Sequence, residues 1–178
     1  MEFVQPIRDK EKIELMKKSF KNDRDRFLFV LGINVALRVS DLLSLKVKDL
    51  RNRTHLVMKE SKTGKEKRQI ISPTLKKEIN KYTKGMDSED WLFPSRKGDK
   101  PISRVQAYRI LNEVAQRVGV EEIGSHSLRK TFAFHYYQAT NDIVTIQQLL
   151  NHSTPAVTLR YIGVNQDIMD EKLKDFSL

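Results

Sequence analysis

The periodicity of this chain changes character once. Between Thr54 and Ser72 the stretches THLVMKE and KRQIIS are short, alternating and rich in β-branched residues, with SKTGKE between them. Alternation at period two sends successive side chains to opposite faces of a strand, and a turn containing Gly64 lets the chain double back. A β-hairpin with a basic tip is expected there. The rest of the chain follows helical spacing. The fold class this implies is mostly α with a small antiparallel β-sheet (α+β).

The helical segments have readable ends. Asp9 to Phe20 places Ile13, Met16 and Phe20 on one face, and the Asp9 carboxylate suits first-turn N–H groups. RDRFLFVLGINVAL is a strongly apolar second helix. VSDLLSLKVKDL is a third, with Ser40 its expected cap. Pro73 suits the first position of a helix reaching about Tyr82. A short WLF strand is expected within GMDSEDWLFPSRKGDKP. Ser103 to Val118, ended by Gly119, then Ser127 to Ala139, Ile143 to Leu150 and Pro155 to about Tyr161 continue the series. Gln166 to Phe176 is a last amphipathic helix, with Ile168, Met169, Leu173 and Phe176 forming its apolar stripe.

At 178 residues the chain is expected to be one domain, 1–178, with 166–178 as its C-terminal helix and tail. It contains no run of about 18 apolar residues, and MEFVQPIRDK lacks the apolar core of a signal peptide. With no cysteine, disulfides, thiol nucleophiles and zinc–thiolate sites are excluded. A cytoplasmic protein is expected. The net charge of +10 is unevenly spread: 13 Lys and Arg against 4 Asp and Glu lie between Lys46 and Lys84, leaving 20 against 19 elsewhere. A concentrated positive segment is the usual footprint of a polyanion partner, most often nucleic acid, although a solvated lysine-rich surface gives the same count.

Six residues stand out chemically. In NVALRVSDLLSL, Arg38 falls between two apolar helices. A guanidinium cannot lose its proton, so its burial demands an anion: Asp41, a ligand, or both. In GSHSLRKTFAFHYY, His126 precedes a helix and Arg129 lies in its first turn. Two arginines could clamp one phosphate, each presenting a planar fork to two oxygens. Lys62 falls at the hairpin tip. In LLNHSTPAVTLRYI, Tyr161 follows His152 by nine residues. Each also has a plain structural reading: an ion-pair arginine, a solvated turn lysine, a capping histidine, a core aromatic.

Taken together and in order, these residues resemble the catalytic domain of the tyrosine recombinases, the phage-integrase family. ALRVSDLLSLKVKDL resembles its first-arginine box, KTGKEKRQIIS its lysine hairpin, HSLRKTFAFHYY its His-x-x-Arg helix, and LLNHSTPAVTLRYI its second-histidine box with the nucleophile. The chain departs from the family at Ala36 and Asn151, where glycine is usual. The resemblance also starts at the catalytic domain, so either a piece of a longer recombinase or a naturally short member, lacking the upstream helical core-binding domain, is expected.

The resemblance implies a reaction and roles. Tyr161 attacks a phosphodiester of double-stranded DNA, forming a 3′-phosphotyrosyl link and freeing a 5′-hydroxyl. Arg38 and Arg129 bind the nonbridging oxygens, with Asp41 supporting Arg38. His126 accepts the phenolic proton, Lys62 protonates the leaving oxygen, and His152 hydrogen-bonds the phosphate. Covalent catalysis conserves the bond energy, so no cofactor and no metal are expected. A homo-oligomer on DNA, dimer or tetramer, is implied, with the tail docking in trans, in a bacterial or phage-encoded protein. Two alternatives stay open: a non-catalytic DNA-binding protein of the same fold, and a type IB topoisomerase.

Overall fold

Asp9 opens the first helix, α1 (Lys10–Ser19), accepting from the Glu11 and Lys12 N–H groups. In this computed structural model residues 4–97, 99–121, 123–124, 126–164 and 166–177 are described, with the backbone alone at 166–168 and 172. Ile13 and Met16 face inward, and Phe20 packs half-buried on the same core. Asn22 caps α2 (Asp23–Gly32), which is buried from Phe27 to Gly32 and runs through the centre of the fold. Gly32 is required by a close approach: a Cβ there would overlap the side chain of Leu128.

The third helix, α3 (Val39–Leu43), starts two residues earlier than a Ser40 cap would place it. Arg38 occupies the N-cap in extended conformation and Ser40 lies inside the helix, so Ser40 is not the cap. Arg38 makes no capping bond with its side chain. A 3₁₀ turn, Val47–Asp49, leads to the hairpin of β1 (His55–Lys59) and β2 (Glu66–Ile70). The strands are antiparallel, with His55 opposite Ile70 and Lys59 opposite Glu66. Ser72 caps α4 (Pro73–Tyr82), with Pro73 in its first turn.

The expected WLF strand is absent. Trp91 makes a single bridge with Lys46, and Leu92 and Phe93 are buried beneath it. Pro94 follows and has no N–H to extend a ladder. Trp91 instead donates its indole N–H to the Asp99 carbonyl. Beyond this loop come α5 (Arg104–Arg117), α6 (Ser127–Thr140), α7 (Ile143–Leu150), α8 (Pro155–Ile162) and α9 (Gln166–Lys174). Ser103 and Thr154 cap α5 and α8 through their hydroxyls.

Two apolar clusters form. The larger takes Phe27, Phe29, Leu42, Leu56, Ile79, Phe93 and Leu111, among others; the smaller joins Ala133, Phe134, Ile146, Leu150 and Ile162. Each large side chain so buried stabilises the fold by roughly 1.5–3 kcal/mol. The clusters meet at Ala36–Leu37 and along α6, where Leu128 belongs to one and Ala133 to the other. Arg38 and Arg129 flank that seam. Among the described residues no helix is long and apolar enough to cross a membrane.

Candidate active site

Arg38 leaves the apolar segment Val35–Leu37 with its guanidinium inward. Its main partner is not Asp41, which lies 4.0 Å away, but Glu60, at 3.1 Å. Glu60 ends the first arm of the hairpin and its side chain is fully buried. Burial alone would push this carboxyl up. The hydrogen bond from Thr63, the charge of Lys67 and the bond and charge of Arg38 outweigh it and hold Glu60 at about 2. Asp41 turns the other way, its Oδ1 accepting from the Ser61 N–H at 3.1 Å and the Ser61 hydroxyl at 2.6 Å.

Arg129 comes from the first turn of α6 and is 3 % exposed. One Nη donates to the Leu150 carbonyl at the end of α7, at 2.9 Å, and lies 3.8 Å from Glu60. Lys67, on the inward face of β2, completes the group. Its ammonium donates to the carbonyls of Ala36 and Leu149 and lies 3.4 Å from Glu60. Burial and the charge of Arg129 lower Lys67 to about 8, against the opposing pull of Glu60. Three cations therefore surround two carboxylates. Nε of Arg129 is buried without a hydrogen-bond acceptor, and Nη1 of Arg38 faces only the Glu60 carboxylate, at 3.1 Å. Buried donors of this kind are what a phosphate oxygen would satisfy.

His126 is the N-cap residue of α6. The segment before it is clamped to α5 by Asn112, whose side chain donates to the Ile123 carbonyl at 2.8 Å and accepts from the Ile123 N–H at 2.6 Å. The Tyr161 hydroxyl, from the last turn of α8, lies 3.4 Å from Nδ1 of His126. Burial raises Tyr161 to about 12 although Arg129 and Arg38 pull it down. Desolvation and then the charges of Arg129, Arg38, Lys130 and Lys62 lower His126, which keeps its ring neutral and able to accept a proton at physiological pH. The His152 ring stands edge-on to Tyr161, 4.9 Å between centroids, and its Nδ1 contacts the Thr158 hydroxyl at 3.1 Å. Burial, followed by the charges of Arg129, Arg38 and Lys67, lowers His152 to about 4.

Five of the six singled-out residues thus converge: Arg38, His126, Arg129, His152 and Tyr161. Lys62 sits in the exposed hairpin turn, and its charge is felt at His126. Among the described residues no hydrogen bond or ion pair joins it to the other five. Asp41 braces the turn more than it pairs with Arg38. Three other tyrosines are engaged elsewhere. Tyr82 stacks on Phe27 at 4.4 Å and donates to the Leu92 carbonyl. Tyr136 and Tyr137 pack on the smaller core.

Glu60 and Lys67 were not legible as site residues. In sequence they are ordinary charges of a basic hairpin. The available signal was the alternation of β2, which puts Lys67 and Gln69 on the inward face where apolar residues would be expected. Both serve the turn before Arg38: Gln69 accepts from the Ala36 N–H at 2.9 Å and donates to the Asn34 carbonyl at 3.1 Å. Asn151 explains one departure from the family pattern. It terminates α7 with φ +54°, the left-handed conformation that glycine adopts most easily and asparagine next.

A tyrosine beside a neutral histidine, facing a buried and a partly buried arginine on a mostly helical domain with one hairpin, is the arrangement of tyrosine-type DNA breaking-rejoining enzymes. Residues 7–167 match the phage integrase family, and the chain belongs to that family of tyrosine recombinases. It is 53% identical over 178 residues to the probable integrase/recombinase YoeC of Bacillus subtilis (strain 168), covering 99% of this chain and 98% of that one. The crystal structure of the XerA recombinase superposes with a TM-score of 0.78 at 21% identity, over 96% of this chain and 65% of that one. XerH, crystallised bound to its palindromic difH substrate as a post-cleavage complex, gives 0.72 at 19% identity, over 97% and 53%. The chain thus spans nearly all of YoeC but about half to two thirds of these solved recombinases.

Proposed function

We propose that Tyr161 is the nucleophile of a site-specific strand-transfer reaction on double-stranded DNA, with Arg38, Arg129, His126, His152 and Lys62 as its catalytic residues. The phenolic oxygen attacks phosphorus, the Tyr161 O–P bond forms and the P–O5′ bond breaks. The phenolic proton passes to His126, and Lys62 gives a proton to the departing 5′-oxygen. The product is a 3′-phosphotyrosyl enzyme and a free 5′-hydroxyl. Attack by a 5′-hydroxyl of a partner strand reverses the step, so the bond energy is retained. Arg38 and Arg129 offset the charge that gathers on the nonbridging oxygens.

The observation that carries this reading is the 3.4 Å approach of Tyr161 to a neutral His126, beside Arg38 and an Arg129 Nε that lacks an acceptor. His152, its Nδ1 in contact with the Thr158 hydroxyl at 3.1 Å, would meet the phosphate through Nε2. Double-stranded DNA is the partner, and exchange between strands calls for a dimer or tetramer on DNA. Residues 1–178 act as the catalytic unit, in the cytoplasm of a bacterial host and on behalf of a phage or mobile element. The helix α9 presents Met169 and Leu173 exposed, and Phe176 two residues past its end is exposed too, an apolar surface suited to docking on a neighbouring protomer. The side chain of Ile168, the fourth member of that stripe, lies outside the described residues.

The test is covalent trapping on a randomised pool of nicked duplexes, stopped with SDS. Adducts that are protease-sensitive, enriched for one sequence, and absent with Tyr161→Phe are the expected result. Adducts that survive Tyr161→Phe, or a pool that yields none with the unaltered protein, would overturn the reading.

A further inference from the structure

One oxygen of Glu60 gathers three separate parts of the chain. Oε2 accepts from the Thr63 hydroxyl at 2.8 Å and from the Asn151 side-chain amide at 3.2 Å, and lies 3.1 Å from Arg38. The backbone of Glu60 closes the turn from both sides: its N–H donates to the Lys65 carbonyl and its carbonyl accepts from the Gly64 N–H, each at 2.9 Å. Lys62 lies inside this closed turn, next to Thr63. Asn151 lies next to His152. The hairpin is only two strands wide, and such a ribbon is marginal without outside support. Glu60 and Asn151 supply a bond between the turn and the histidine segment 91 positions away.

We propose that Glu60 and Asn151 are positioning residues for the general acid, their hydrogen bond holding the Lys62 turn against Arg38 and the His152 segment. The inference rests on the strand-transfer reading above and adds to it two residues that do not touch the reacting atoms. The Glu60 carboxylate fixes Thr63, Thr63 fixes the turn, and Asn151 keeps Glu60 beside the arginine. The asparagine therefore does two tasks at one position: its backbone ends α7, and its side chain carries the tether.

Asn151→Gly separates those tasks, because glycine adopts the same left-handed backbone freely and loses only the tether. The substrate is the duplex selected from the randomised pool, made with either oxygen or sulfur at the 5′-bridging position of the scissile phosphate. A thiolate leaves without a proton, so the sulfur substrate bypasses Lys62. Lys62→Ala should be slow on oxygen and restored on sulfur. Asn151→Gly is expected to cleave the oxygen substrate about tenfold more slowly, the weight of a hydrogen bond to a charged group, and the sulfur substrate at the unaltered rate. Glu60→Gln, which also releases Arg38, should slow both substrates but the oxygen one further, and the double variant should lose no more of that oxygen-against-sulfur difference than the larger single loss. Asn151→Gly cleaving both substrates at the unaltered rate would overturn the inference, as would equal slowing on both, which would place the effect on the arginines or His152. Absence of any adduct with the unaltered protein would instead remove the functional reading beneath it.

Discussion

The Tyr161 hydroxyl and Nδ1 of His126 stand 3.4 Å apart across 35 positions of sequence, joining the last turn of α8 to the start of α6. The phenol is held at about 12 and the imidazole below its ordinary value, so the proton rests on the phenol. Removal of the acceptor by His126→Gln should slow adduct formation about 100-fold or more. The pH profile is the sharper check. With His126 lowered, its neutral form persists down through pH 6.5, and activity should fall only on the acid side of that value. In His126→Gln that acid limb should disappear; a limb that survives would assign it to another group.

Stability should also fall in acid, from two sources. His152 is lowered to about 4, so unfolded chains bind its proton more readily between about pH 6.5 and 4 and stability declines across that window as pH falls. Glu60 is held at about 2, so the stabilisation it carries is complete above about pH 4.5 and disappears as pH falls toward 2. The Glu60 contribution is on the order of 3 kcal/mol. Glu60→Gln should lower the melting temperature at pH 7, since it strands three cations, and should flatten the remaining pH dependence below 4.5. Melting curves from pH 3 to 7 read both effects, and an unchanged slope below 4.5 would exclude Glu60 as its origin.

Gly32→Ala should injure fold and site together. The added methyl would meet Leu128, the residue before Arg129, so α2 and α6 must part. Overpacking of this kind costs about 1–3 kcal/mol. A lower melting temperature and slower adduct formation are expected together. Unaltered melting would mean that the two helices are not held at this spacing.

The end of α6 offers a test of backbone conformation away from the site. Asn141 closes that helix at φ +54°. Asn141→Gly should leave stability within about 0.5 kcal/mol, whereas Asn141→Val should cost about 1–2 kcal/mol. Equal melting temperatures for the two variants would contradict the left-handed assignment.

Local chemistry made much of this fold readable. Asp9 at a helix start, Pro73 in a first turn and Gly119 after a last one act through their own backbone neighbours, and all three lie where spacing puts them. The site residues were readable as an ordered set, although no single one was. Expectations failed where tertiary partners decide. Ser40 gave way because the helix begins at a residue whose side chain is turned toward Glu60. The WLF strand failed because its neighbour supplies one bridge and Pro94 ends it. Glu60 and Lys67 stayed hidden because their burial is created by contacts with Ala36, Leu149 and Arg129, none of them near in sequence.

The two sides of the site differ in how firmly they are anchored. Arg129 is borne by α6, which packs on α2 and α7, whereas Lys62 is borne by two paired strands with Val57 and Ile70 facing solvent. The ribbon can therefore open while the helices stay folded, at a free energy well below that of global unfolding. Amide hydrogens of β1 and β2 should exchange early through such local opening, and those of α2 only when the whole domain unfolds. Bound DNA would then register first as slowed exchange in the hairpin, so readiness for cleavage can change in this protein while its core stays still.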